Sequence, residues 1–437
     1  MPEAIFSPTE LYDVWPVLSR EERVEGFELL RRDDAEAFFL QLSARDRAQL
    51  ILALPPGERR LWMRLLAPDD AADVIQEAPA DQREVLLSLL DDITHREVKG
   101  LLAYAEDEAG GLMNTRYSRL RPEMTVDEAT SYLRRDARSR ERAVYYAYVV
   151  DPEERLLGVV SFRDLIVTSG DRLINDVMRT NVISAPEDLD QEALSRLFMR
   201  HHLLMMPVVD REGRIKGVVS VDDIVDVVQE EATEDIHKIG GIEALDEPYL
   251  QVPLLTMIRK RAGWLAALFL GEMLTATAMG HFEDDISRAV VLALFVPLII
   301  SSGGNSGSQA TTLVIRAMAL GEVKVRDWWR VIRRELITGL GLGLILACIG
   351  LTRILLWEGL FDSYGEHYLL VAVTVALSLI GVVLWGSIAG SLLPFILRAL
   401  GFDPASASAP FVATLVDVTG LIIYFSVAAF VLRGTLL

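Results

Sequence analysis

Asp417 lies in ATLVDVTGLIIYF (413–425), a run apolar enough for hydrocarbon. A carboxylate there is costly, and such residues face a water-filled path or a binding site. A second departure is SSGGNSGSQATT (301–312), set between AVVLALFVPLII and LVIRAMAL. Lipid offers no partners to hydroxyls, amides or loosened backbone, so this strip needs protein or water beside it. Gly303, Gly304 and Gly307 allow a helix or an ion close to the backbone, while Asn305, Ser306 and Gln309 bring neutral oxygens. Pro297, a turn earlier, is expected to free a carbonyl. No Lys or Arg sits at comparable depth: Arg353 and Arg398 lie near span ends, and Glu272 only adds negative charge. One carboxylate beside neutral oxygens, with no fixed counter-charge, suits a cation. Mg²⁺ keeps several waters and uses one or two carboxylates, so this set fits hydrated Mg²⁺ better than dehydrated K⁺, which takes rings of carbonyls. Residue chemistry stops at a divalent-cation path, with Mn²⁺, Co²⁺ and Ca²⁺ still open.

A third group of acids runs along VDDIVDVVQEEATEDIHKIGG (221–241). Helical spacing puts Asp223, Asp226 and Glu230 on one face, with Glu231, Glu234 and Asp235 one turn along. Like charges stacked this way repel unless a cation or a basic surface lies between them. Two readings stand side by side: a site for hard divalent cations and a solvated linker helix.

The elements that must position these residues are legible from hydropathy. Five segments, about 263–280, 289–315, 336–357, 368–397 and 410–432, have the length to span a bilayer. Arg259, Lys260 and Arg261 precede the first, and six basic residues lie between Arg316 and Arg334, whereas the opposite loops read HFEDD and EGLFDSYGEH. The positive-inside rule places the N-terminal half in the cytoplasm and the C-terminus outside, in a multi-pass protein of the cytoplasmic membrane.

The chain has 437 residues, enough for several domains. From Arg259 onward it carries 13 Lys/Arg against 12 Asp/Glu; the first 258 residues hold 30 against 51. An acidic soluble half argues against nucleic-acid partners. The single cysteine, Cys348, excludes an internal disulfide, and MPEAIFSPTELYDVW lacks the basic and apolar regions of a signal peptide. Hydrolase signatures such as a P-loop are missing, so the chain is not expected to be an enzyme.

Residues 1–115 show helical periodicity without strand signals and are expected to form an all-α superhelical domain. Residues 116–228 contain a repeat: VYYAYVVDPEERLLGVVSFRDLI (144–166) matches LLMMPVVDREGRIKGVVSVDDIV (203–225). This β-β-α pattern resembles a tandem pair of CBS domains, an α/β fold. In that family a hydroxyl and a carboxylate at this place meet a nucleotide ribose, which here would be Ser161/Asp164 and Ser220/Asp223; helix capping explains the same residues. An acidic connecting (plug) helix over 229–258 and a five-helix membrane domain over 259–437 complete the multidomain organisation.

Over nearly its whole length the sequence is similar to the MgtE family of magnesium channels. The similarity rests on YAEDEAGGLMNTRY (104–117), the CBS pair, EEATEDIHKIGG, PLIISSGGNSGSQATTLVIRAMALGEV and PFVATLVDVTGLIIYF. The resemblance implies a homodimer in the bilayer with one Mg²⁺ path at the subunit interface, Asp417 as its main magnesium residue, and Gly303, Gly304, Asn305 and Gln309 along it. It further implies that cytosolic Mg²⁺ closes the path through Asp223, Asp226, Glu231, Glu234 and Asp235, facing Asp69 and Asp73. At an early glutamate of the family this chain has Ala37, with Glu36 beside it. The resemblance also brings ATP, or another adenine nucleotide, as a ligand of the CBS pair. The rival functions are a secondary transporter exchanging a divalent cation for H⁺ or Na⁺, and a membrane-anchored Mg²⁺ or nucleotide sensor.

Overall fold

A computed structural model describes residues 7–137, 145–245, 249–250, 252–361 and 364–436. It divides into two compact units, Met1–Glu231 and Ala232–Leu437.

Among the described residues, the first unit opens with eight α-helices: Pro8–Val14, Arg20–Glu28, Arg32–Gln41, Ala44–Ala53, Pro56–Leu65, Pro68–Glu77, Ala80–Leu89 and Asp92–Leu101. Their first residues are twelve apart throughout. The period has a local cause. Leu30, Leu42, Leu54, Leu66, Ala78 and Leu90 follow successive helices and are all buried. Ser or Asp side chains (Ser7, Ser19, Ser43, Asp91) then cap several of the helices that come next, and Pro stands in the first turn of others. Each helix packs on the second one along, so that Arg20–Glu28, Ala44–Ala53, Pro68–Glu77 and Asp92–Leu101 form one stacked row. Two arginines, Arg23 buried and Arg47 partly so, tie that row at a spacing of 24 residues: Arg23 to Asp46 and Arg47 to Asp70, both at 2.9 Å. Their Nε atoms donate to the carbonyls of Trp15 and Phe39. The expected superhelical domain is thus a regular array of hairpins.

Two β-β-α modules follow. Each sheet has three strands in sequence order, Arg119–Leu120, Tyr146–Val150, Leu156–Ser161 and then Ala185–Pro186, Met205–Val209, Ile215–Ser220. Both pair parallel then antiparallel, with Tyr146 opposite Ser161 and Met205 opposite Ser220, and both carry a bulge at the same point, 149/150 and 208/209. The repeat seen in the sequence is therefore a repeat in register. The second module shares one apolar core with the helical array, through Leu194, Phe198, Val208 and Val219. The first has its own core around Val126, Leu133 and Val160.

The acidic connecting helix is Val221–Ile239, matching the helical stretch expected over 221–241. It springs directly from the last strand, with Ser220 bonded to Asp223, and stops at Gly240–Gly241, where Gly241 has φ +71°. The next helix begins only at Leu254, after Pro253.

Among the described residues, five helices are long and apolar enough to cross a membrane: Leu254–His281, Val290–Ala319, Val325–Phe361, Tyr368–Ala399 and Ala409–Val431, here spans 1 to 5. Span 4 is central, packing on spans 2, 3 and 5, and span 1 touches chiefly span 5. Pro297 lies in the first turn of the Val296–Ala319 helix, after a 3₁₀ segment, so it breaks no interior hydrogen bond. The freed carbonyl expected of it is not required.

Candidate ion path and cytosolic acid cluster

The polar strip folds as continuous helix, and helical geometry splits it into two faces. Gly303, Ser306, Gly307, Ala310 and Thr311 are buried. They meet span 4 so closely that a Cβ on Gly386 would stand 2.3 Å from the Gly303 carbonyl, and one on Gly390 would stand 2.2 Å from that of Gly307. Ser306 and Ser387 share a hydrogen bond of 2.7 Å, and Thr311 Oγ1 donates to the Gly390 carbonyl at 2.7 Å. These small residues bring two backbones together and satisfy each other's hydroxyls. Gly303, expected along the ion path, belongs to this packing face: its Cβ would fall 2.4 Å from Val382 Cγ1. Gly390→Val should therefore cost about 3 kcal/mol of packing and appear as loss of monodisperse protein on extraction, whereas Gly341→Ala, at a position open to space, should not.

The other face carries Ser301, Asn305, Gln309 and Thr312, all exposed in the single chain. Gly304 lies between the faces, and a Cβ there would be 3.7 Å from Asp417 Oδ1 and 3.5 Å from Ala413. Gly304 thus keeps span 2 open beside the carboxylate. Asp417 itself is half-buried on span 5. Its carboxyl feels the negative charge of Glu272 on span 1. The sequence counts Glu272 only as added negative charge, because the face it turns to Asp417 is invisible until spans 1 and 5 pack. Two carboxyl groups so placed repel unless a proton or a cation lies between them.

In the cytosolic unit, Asp69 is buried, and both its oxygens accept from Asn114 Nδ2 at 3.1 Å. Asp73, one turn along the same helix, is surrounded by Asp69, Asp70 and Asp223, while Arg47 reaches Asp70. Burial first, then these like charges, push the Asp73 carboxyl up to about 8. Burial also raises Asp226, which feels Arg47 as well. The helix Pro68–Glu77 and the start of the connecting helix therefore face each other with acids. Glu231 accepts from Gln191 Nε2 at 2.7 Å, and Glu234 pairs with Lys238 at 2.5 Å. Glu36 is bound instead to Arg32 on its own helix, at 3.2 Å. Among the described residues no three His, Cys, Asp or Glu side chains converge as a preformed metal cluster.

Ser161 and Asp164 form a reciprocal cap on the helix Phe162–Val167, and Arg179 adds a contact to Asp164 at 3.3 Å. These contacts hold the Asp164 carboxyl below its usual value against the opposing effect of burial. Ser220 and Asp223 are bonded in the same way, at 2.7 Å. The second pair also lines a cleft, with Arg116, Tyr117, Tyr145 and Asp222.

The chain matches the models for the MgtE intracellular N domain over residues 6–107, for the CBS domain over 109–169 and 174–230, and for the divalent cation transporter family MgtE over 296–427. The magnesium transporter MgtE of Thermus thermophilus is 41% identical over 431 residues, spanning 98% of this chain and 93% of that one. Its Bacillus subtilis counterpart is 30% identical over 421 residues, 96% and 91% of the two chains. A crystal structure of the cytosolic domain of the Mg²⁺ channel MgtE in complex with ATP is 40% identical and covers 51% of this chain and 91% of that one, with a TM-score of 0.47. A multi-pass transporter with a helical N domain and a CBS pair is the class that these helices and acids define. The chain belongs to the MgtE family.

Proposed function

We propose that this chain forms a homodimeric Mg²⁺ channel of the bacterial cytoplasmic membrane, importing Mg²⁺ and closed by cytosolic Mg²⁺. The single observation that carries the reading is Asp417 beside Gly304, next to the exposed oxygens of span 2. A carboxylate flanked by a helix without a side chain leaves room for an ion that keeps its water. Asn305 and Gln309 hold that water, and Asp417 supplies the charge. One Asp417 per chain meets part of a dication's need, so two chains facing across one path complete the site. The positive-inside rule orients the N-terminus to the cytoplasm and the C-terminus outside.

Closure follows from the cytosolic acids. Without a cation, Asp69, Asp223 and Asp226 repel and Asp73 has to hold a proton among them, which favours separation of the helices that carry them. Mg²⁺ bound there, and at Glu231, Glu234 and Asp235 further along the connecting helix, favours the closed state by its differential affinity. The cleft beside Ser220 takes the ribose of an adenine nucleotide, with Asp223 shared between the two ligands. Recording from the purified chain in planar bilayers tests the reading. Discrete single-channel currents, lost as Mg²⁺ rises on the cytosolic side, are expected. Flux strictly coupled to H⁺ or Na⁺ without such currents would establish the exchanger, and the absence of both would establish the sensor.

A further inference from the structure

Lys238, one residue before the end of the connecting helix, sits between two carboxylates. Its ammonium lies 2.5 Å from Glu234, four residues back on the same helix, and 2.7 Å from Asp403. Asp403 belongs to the corner between spans 4 and 5, where its other oxygen accepts from the Ala405 backbone at 2.9 Å. The neighbouring Ile239 is packed on Ile315, Ala405 and Ala407. Two residues on, Gly241 lies flat against Trp264 of span 1, leaving 2.6 Å between a Cβ there and the indole nitrogen. That nitrogen donates to Ser408 Oγ at 3.2 Å, and Ser408 is the N-cap of span 5. The end of the connecting helix is thus clasped by the corner that leads into the helix of Asp417, about two turns ahead of that residue.

We propose that the Lys238–Asp403 ion pair is the latch that transmits the state of the connecting helix to span 5. The inference rests on the Mg²⁺-closed channel reading above and adds the mechanical link that it lacks. Lys238 divides its charge between Glu234 and Asp403. When a divalent cation takes Glu234, the ammonium turns wholly to Asp403, and the helix end is drawn harder onto the corner. Glu234 therefore both receives the cation and sets the strength of the latch. The apolar contacts of Ile239 hold the register while the charges change.

The test uses the full chain in planar bilayers, with currents followed as cytosolic Mg²⁺ is raised. The variants are Lys238→Met, Asp403→Asn and the exchanged pair Lys238→Glu with Asp403→Lys. Each single variant should conduct at low Mg²⁺, which shows that it is folded, and should need about fivefold more Mg²⁺ for half-closure. The exchanged pair should return the midpoint to within about twofold of the parent. Single variants that close at the parent's Mg²⁺ concentration overturn the latch. So does an exchanged pair that stays as insensitive as the single variants. If the unmodified chain gives no current, or none that cytosolic Mg²⁺ closes, the function reading fails instead.

Discussion

Asp417→Asn should reduce Mg²⁺ entry into proteoliposomes by at least about 100-fold, because the substitution removes the charge while keeping the shape. A dication that retains its water is held by long-range attraction, worth several kcal/mol per carboxylate at these separations even in a well-screened site. An amide of equal size can bond the same waters and offers none of that attraction. The side chain is half-buried, so the variant should fold, and its thermal unfolding should stay close to that of the parent. Asn305→Ala, by contrast, removes only a water-positioning group and should cost less than about tenfold. Equal losses in the two variants would show that the polar face, and not the carboxylate, sets the rate. Undiminished flux through Asp417→Asn would remove Asp417 from the path.

The second large effect is expected at Asp73. With its carboxyl at about 8, the folded cytosolic unit holds a proton that the unfolded chain releases near 3.8. The sign follows from linkage: this proton favours folding fully below pH 3.8, and the benefit is lost as pH rises toward 8. Measured in EDTA, the full chain should therefore unfold more readily at pH 8 than at pH 6. Asp73→Asn should flatten that slope and add about 2 kcal/mol at pH 8. On the proposed function Mg²⁺ replaces that proton, so its stabilisation should grow as pH rises through the same window. That growth should be much smaller in Asp73→Asn. Parallel pH profiles for parent and variant, with and without Mg²⁺, would show that Asp73 is neither buried among like charges nor part of the cation site.

The chain's architecture was legible wherever one strong physical signal acted alone. Five apolar runs and the VVD–GVVS repeat left little choice of structure, and the structure returns both, the latter down to matching bulges. Side chains whose meaning depends on which helix faces which were not legible. Gly303 and Gly304 are adjacent and chemically identical, yet one packs on Val382 and the other opens beside Asp417. Glu272 counted only as extra charge and Asp403 carried no signal, because their neighbours Asp417 and Lys238 lie 145 and 165 residues away in sequence. One regularity was present and unread. An apolar residue recurs every twelfth position from Leu30 to Leu90, and it marks the helix ends of the first domain.

That regularity bears on how the first domain tolerates change. Each helix contacts its second neighbour, and the Arg–Asp pairs recur every 24 residues. A deletion or insertion of one full hairpin leaves every remaining rung with an equivalent partner. A change of twelve residues exchanges the two rows, and any other length throws Arg23 and Arg47 out of step with their carboxylates. Length should therefore be tolerant to change only in whole hairpins, in steps of 24 residues.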